Sequence, residues 1–336
     1  DAVRKVIDNG NMSTLNSKEE ILLAEKLIQM HTWAEKVRFA RTGGEAAAIA
    51  VRIARAATGN DKVAICGYHG WHDWYLSTNH NNVDGLSGHL LPGLDTAGVP
   101  KNLKNTVFPF HYNDFEELEK LVSENEIGVI KMEVVRNFGP ENNFLQKVRD
   151  LATQKNIVLI FDECTSGFRE TFGGLHLKFG ITPDLATFGK ALGNGYAITA
   201  LIGKSSVMSS VEDTFMSSTF WSERTGYVAA LASLKAMATL QSWEKITQIG
   251  LKMRNIWSES FIDTGIDFSF SGIPALSALQ FHGPNGNAIK TLITQEMLKE
   301  NILASNIFYP CTVHSLKNIS DYRTNLEKIL NKIDFE

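Results

Sequence analysis

The run Ile157-Val158-Leu159-Ile160-Phe161 is the strongest constraint on how this chain folds. It is apolar at every position and stops abruptly on two acids, Asp162 and Glu163. Such a run has no polar face to show water, so it reads as a strand covered by helices on both sides, the pattern of a parallel sheet. A second run, Asp184 to Phe188, ends in the same way on Gly189-Lys190 and continues into Gly193-Asn194-Gly195. Open α/β sheets bind their ligands beyond the carboxyl ends of the strands, so Asp162 and Lys190 are expected on one rim. The glycines there let backbone and ligand approach closely.

The rest of the chain repeats this pattern. Lys62 to Cys66, Thr106 to Phe110, Ile127 to Glu133 and Ala197 to Gly203 read as further strands, with helical spacing at Phe115–Ser123 and Phe144–Gln154. That alternation predicts an α/β fold with a mostly parallel sheet covered by helices. Ser17-Lys18-Glu19-Glu20 is a capping box opening an amphipathic helix. Lys36–Phe39 is a short extended piece. It leads to Arg41-Thr42-Gly43-Gly44-Glu45-Ala46 and a helix running to about Ala57. Gly43 and Gly44 at a helix start offer free N–H groups and the positive end of the dipole, a site for an anion. The strand at Lys62 delivers Gly67-Tyr68-His69-Gly70-Trp71-His72 to the same rim. No carboxylate or cysteine stands at ligand spacing from His69 and His72, so no metal is expected. The Gly-rich stretch from Asn79 to Asn102 is long enough to be functional or disordered.

Beyond an Ala-rich helix at Gly226–Leu240, the pattern changes to a small α+β lobe. It has a long helix at Ser242–Phe261, a strand at Ala278–His282, and helices at Ile289–Glu300 and Ser320–Ile333, the last capped by Ser320-Asp321. The expected division is residues 1–16 as the tail of an N-terminal segment, 17–240 as a large domain and 241–336 as a small C-terminal domain. The 33 basic and 37 acidic residues give a net charge of −4, which makes no case for nucleic acid or an anionic membrane. No apolar run approaches the roughly 20 residues needed to span a bilayer. Cys66, Cys164 and Cys311 are odd in number and lack metal spacing, as expected of a reduced, cytoplasmic chain. A dinucleotide-binding dehydrogenase is disfavoured because no Gly-x-Gly-x-x-Gly follows an early strand.

A carboxylate and a lysine 28 residues apart (190 − 162), each at a strand end, suit pyridoxal 5'-phosphate. The lysine forms the Schiff base and the acid holds a proton on the pyridine nitrogen. Asp162-Glu163-Cys164-Thr165-Ser166-Gly167-Phe168-Arg169, Thr182-Pro183-Asp184 and Phe188-Gly189-Lys190-Ala191-Leu192-Gly193 together resemble the core of class III aminotransferases. The likeness is greatest to the glutamate-1-semialdehyde aminomutase branch. It implies pyridoxal-phosphate fold type I, the aspartate aminotransferase-like arrangement, preceded by a longer N-terminal segment. It implies Lys190, Asp162 and Tyr68 as catalytic, with Tyr68 stacked on the cofactor and Lys190 also moving the α-proton. Gly43 and Gly44 match the phosphate-binding segment, with Gly44 where the family has Thr or Ser. His69 and Glu133 match family positions at the cofactor, and Cys164 replaces a Val on the opposite ring face. Thr219 matches a threonine that reaches the partner subunit's phosphate, implying a homodimer with composite sites. Residues 79–102 correspond to a mobile cover in that branch. The resemblance further implies a small-molecule amino donor and a keto or aldehyde acceptor. Trp221-Ser222-Glu223-Arg224 departs from the family and leaves open an aminomutase or a sugar aminotransferase of surface polysaccharide synthesis. A non-enzymatic binding protein with a degenerate site is the rival class, and retention of Lys190, Asp162, Tyr68 and the glycine pair argues against it.

Overall fold

In the computed structural model, which describes residues 1–90, 92–135 and 137–331, the apolar run becomes β5 (Val158–Glu163), buried at every position. Its neighbours β4 (Ile127–Glu133) and β6 (Leu185–Phe188) both run parallel to it. Outside β4 lie β2 (Lys62–Cys66) and β3 (Val107–Pro109), and outside β6 lie β7 (Thr199–Gly203) and β1 (Lys36–Ala40). The order across the sheet is β1-β7-β6-β5-β4-β2-β3. Within this sheet only β7 runs against the rest. Its first residue, Thr199, therefore arrives at the rim where the other strands end. The mostly parallel sheet expected from the apolar runs is the one observed.

Helix Gly43–Thr58 lies across this sheet. Its buried face carries Ala46, Ala47, Ala50 and Ala54 beside Ile49 and Ile53. The small alanines let the helix backbone sit low over the strands, while each buried isoleucine contributes about 1.5–3 kcal/mol. Val63, Ile65, Val129, Ile160, Leu185 and Leu201 meet it from the sheet. Residues 1–16, expected only as a polar tail, contain a short helix at Ala2–Asp8. Ser17 does cap the next helix, Lys18–Met30, by position, but its side chain makes no cap bond, so the expected capping box does not close. Glu19, the neighbour of the box acid Glu20, pairs with Arg224 at 2.9 Å.

The chain divides into one unit of residues 1–136 and 140–236 and another of 137–139 and 237–336. The second unit holds a three-stranded antiparallel sheet, β8 (Phe268–Ser271), β9 (Ser277–Phe281) and β10 (Ile307–Phe308), with β9 in the middle. Helices Ser242–Phe261, Gly286–Lys299 and Leu316–Leu330 cover it through Trp257, Phe261, Met297 and Leu326, which share one core with Leu279 of β9. The Trp257 indole N–H donates to the Tyr322 hydroxyl at 2.8 Å. The final helix starts four residues before the expected Ser320. Ser315 and Asn318 form a reciprocal capping box there, and Ser320 lies inside the helix. The expected end at Ile333 lies outside the described residues.

Candidate active site

Four strand ends and one helix start build the site. β5 carries Asp162 on one face and Glu163 on the other, and the next residue, Cys164, stands at the rim. Asp162 is 6% exposed and its Oδ2 lies 2.9 Å from His69 Nδ1 and 2.9 Å from Lys131 Nζ. Its Oδ1 accepts the Cys164 backbone N–H at 3.2 Å. Burial alone would push this carboxyl up, but the Lys131 charge and the His69 hydrogen bond outweigh it and hold the acid far below its ordinary range. Burial, reinforced by the Asp162 charge, pushes the Cys164 thiol far up. Cys164 is therefore a neutral wall, not a nucleophile.

Lys190 follows β6 in a left-handed backbone conformation (φ 43°), which is uncommon for a residue with a side chain and costs of order 1 kcal/mol or more. The sharp turn after the extended Gly189 sends the lysine out over the rim, where Nζ donates to Thr165 Oγ1 at 2.5 Å. Opposite, helix Gly43–Thr58 begins at Thr42, whose hydroxyl accepts from Glu45 N while the Glu45 carboxylate accepts from Thr42 N. Thr199 Oγ1 donates to Thr42 O at 3.3 Å and fastens this helix start to β7. Gly44 and Gly70 meet face to face. A Cβ on Gly70 would stand 2.8 Å from Gly44 Cα, and one on Gly44 would stand 2.8 Å from the His72 ring. Glycine at position 70 permits this approach, and a side chain at Gly44 would first have to displace the His72 ring.

A cavity of about 210 Å³ is lined by Gly43, Gly44, Tyr68, His69, Gly70, Asp162, Cys164, Thr165, Gly189, Lys190 and Thr199. The structure thus brings together seven of the nine residues singled out in the sequence. Glu133 and Thr219 are not in the lining. Glu133 sits behind the cavity, its Oε2 accepting the Tyr68 backbone N–H at 3.2 Å, so it fixes the turn that presents Tyr68. Thr219 lies on an exposed 3-10 turn, Thr219–Ser222, next to the 61%-exposed Phe220. Lys131 and Thr165 were missed. The signal for Lys131 was a single lysine interrupting the otherwise apolar Ile127–Met132 stretch.

The residues that depart from the family pattern have structural partners. Trp221 Nε1 donates to Glu45 Oε1 at 2.9 Å and lies under the Arg38 guanidinium. Glu223 accepts from Thr225 N and Oγ1, and Arg224 pairs with Glu19. Roles in the fold explain these side chains, which removes their weight as marks of a sugar substrate.

A family model described as "Aminotransferase class-III" matches residues 1–258. The chain belongs to the class-III aminotransferases. Its relatives include a 3-aminobutyryl-CoA aminotransferase of Cloacimonas acidaminovorans, 33% identical over 315 residues, covering 90% of this chain and 72% of that protein. They also include a glutamate-1-semialdehyde 2,1-aminomutase of Nitrosopumilus maritimus, 34% identical over 79% of this chain and 64% of that protein. Among solved structures, an omega-transaminase from Sphaerobacter thermophilus superposes with a TM-score of 0.87 at 23% identity, covering 98% of this chain and 82% of that one. The FumI protein of Sphingopyxis sp. MTA144, solved in a PLP-carrying form, gives 0.87 at 21% identity over 98% and 78%. This class-III aminotransferase therefore has pyridoxal-phosphate fold type I, and its cofactor is pyridoxal phosphate. The cavity fits that group. It offers a Cβ-free cradle at a helix start for a phosphate, an ionised acid at its floor and a lysine amine at its mouth. No helix among the described residues is long and apolar enough to cross a membrane.

Proposed function

We propose that Lys190 binds the cofactor aldehyde, that Asp162 faces the ring nitrogen, and that the enzyme moves an amino group between a small amino donor and a keto or aldehyde acceptor. The supporting observation is one cavity that gathers a lysine amine, a buried carboxylate and a glycine-built helix start. When bound, the cofactor supplies an electron sink for charge developing at the donor carbon. Lys190 Nζ, released from Thr165, takes the proton from that carbon and returns it on the other side of the exchange. Asp162 stays ionised, which keeps a proton at the ring nitrogen it faces. The N–H groups of Gly43 and Gly44, with the helix dipole, hold the phosphate. Tyr68 and Cys164, both in the cavity lining, would flank the ring and exclude water.

The relatives support two readings of the reaction. Amino transfer is the first, and a 3-aminoacyl thioester is the donor class suggested by the Cloacimonas relative. An aminomutase acting on glutamate-1-semialdehyde is the second. The exposed Phe215 and Phe220 around Thr219 support a homodimer in which Thr219 reaches the neighbour's phosphate. The three cysteines, none of them in a disulfide among the described residues, support a reduced, cytoplasmic setting. The test uses the full-length protein. A visible band that borohydride traps on Lys190 is expected. An amino-donor screen should show turnover that needs a separate carbonyl acceptor, whereas acceptor-independent isomerisation would select the aminomutase. Mixed dimers of Lys190→Ala and Thr219→Ala subunits should regain activity over either parent. No regain, with Thr219→Ala homodimers themselves impaired, would assign Thr219 to its own subunit.

A further inference from the structure

Lys131 has no role in the reading above, although it is the fully buried lysine of the sheet. It sits in β4, whose other residues from Ile127 to Met132 are buried, and its side chain is 0% exposed. β4 and β5 pair with Lys131 opposite Ile160 and Glu133 opposite Asp162, so Lys131 and Asp162 share one face of the sheet. Nζ forms an ion pair with Asp162 Oδ2 at 2.9 Å, outside hydrogen-bond geometry, and has no other acceptor among the described residues. It does not line the cavity, so it reaches a ligand only through Asp162. Burying an ammonium is costly unless something compensates it, and here the compensating group is the one carboxylate that faces the cavity floor.

We propose that Lys131 is a positioning residue for Asp162, a buried counter-cation that keeps the carboxylate ionised so that the shared proton rests on the ring nitrogen and not on the acid. The inference rests on the assignment of Asp162 to the ring nitrogen. A buried acid facing a pyridine has two arrangements of one proton, ion pair or neutral pair, and a dry site favours the neutral one. Lys131 touches the carboxylate and stands farther from the cavity. Its attraction to the ionised acid therefore exceeds its repulsion of a protonated ring, and the ion pair is selected. The other groups facing Asp162 do less. His69 adds a hydrogen bond and a weaker attraction than Lys131, Thr187 stands beside Asp162 in the register of β6, Cys164 is a neutral thiol, and Glu133 adds negative charge. Lys190 is across the cavity, bonded to Thr165. In the folded protein Lys131 is the lysine in contact with Asp162 and the larger of the two attractions on it.

The test compares full-length wild type with Lys131→Met, a neutral side chain of similar length, before and after removal of the cofactor. Infrared spectra of the cofactor-free proteins report the C=O band of a protonated carboxylic acid, assigned to Asp162 by its loss on Asp162→Asn. Between about pH 5 and 8, outside the ordinary aspartate range, wild type should show no such band and Lys131→Met should show one. With 15N-labelled cofactor, the ring-nitrogen resonance should move toward the neutral-pyridine position in the variant. Turnover should fall about tenfold for each unit by which the acid's proton affinity rises, at little-changed KM. If Lys131→Met does not fold, the wild-type band decides alone, since a protonated Asp162 in folded wild type overturns the inference. So does a folded variant whose infrared and 15N signals match wild type. A wild type that takes up no cofactor would sink the parent assignment, while the infrared comparison still decides for or against Lys131.

Discussion

Asp162 and Glu163 are adjacent on β5, both buried, and each touches a histidine Nδ1, at 2.9 and 2.6 Å. Their other partners differ in kind. Glu163 is saturated by neutral donors. Ser166 Oγ and the Leu175 backbone N–H bond one oxygen at 2.9 and 2.5 Å, and the His176 N–H bonds the other at 2.9 Å. His176 in turn accepts from Trp33 Nε1, and His31 Nε2 accepts the Gly174 N–H. Every oxygen of Glu163 is committed to closing the 166–176 loop onto the sheet. Asp162 holds one lysine, one histidine and one long backbone bond, and it still faces a cavity. A carboxylate fully occupied by its own chain is scaffold, whereas one made ionic by a cation and left facing open space is available for chemistry.

The largest expected effect lies on the Asp162 face. Lys190→Ala should lose at least about 10²–10⁴-fold in turnover and all borohydride-trapped label, with thermal stability nearly unchanged. A variant that still transaminates near the wild-type rate would remove Lys190 from the site. On the other face, Glu163→Ala should cost about 3–5 kcal/mol of stability, since it leaves four donors without an acceptor. Denaturant midpoints on the cofactor-free protein measure this, and a loss below about 1 kcal/mol would erase the contrast between the faces.

Acid sharpens the comparison further. Burial lowers the His31 pKa from 6.5 to about 4, and its geometry demands the neutral ring. The unfolded chain then binds the proton first as pH falls. The His31 contribution is complete above about pH 6.5 and is lost progressively toward pH 4, amounting to about 3 kcal/mol. The depressed Asp162 carboxyl loses its contribution in the same direction but in a lower window, keeping it whole until the pH reaches the ordinary aspartate range and losing it progressively below that. Stability measured at about pH 7.5 and pH 4.5 should therefore fall in wild type and fall less in His31→Gln. The smallest effect is that of Asp162→Asn. Losing a charge-assisted hydrogen bond, worth about 1.5–3 kcal/mol, should slow turnover roughly 10–150-fold with cofactor still bound. Equal rates at equal cofactor content would detach the acid from the ring nitrogen.

The large sheet was legible because most of its strands are nearly all apolar, and the break in polarity after each run marks the rim. Tyr68, Asp162, Cys164 and Lys190 stand at such breaks, so their convergence followed from the pattern. Lys131 was hidden by the same logic, since a lone lysine inside an apolar strand gives no hint of which acid on the next strand receives it. Register supplies that answer, and register is a property of paired strands. β8, Phe268–Ser271, is short and half-buried and carries no comparable run. The final helix was placed late because both Ser315 and Ser320 are plausible caps, and only the reciprocal bond with Asn318 distinguishes them.

The reversed direction of β7 has a consequence for the order of assembly. β1 pairs within the sheet only with β7, Lys36 opposite Gly203, so a strand made early waits 167 residues (203 − 36) for its partner. At synthesis rates of 5–20 residues per second, that wait is roughly 8–33 s. During it the Lys-Val-Arg-Phe-Ala segment is an unpaired edge, and Lys36 and Arg38 are the charges along it. Charged side chains on an open edge oppose strand-to-strand association between copies. After closure they change employment: Lys36 donates to Ser209 Oγ, and Arg38 donates to Met216 O and covers Trp221. The same two cations that line this edge hold down the segment leading to Thr219 in the folded protein.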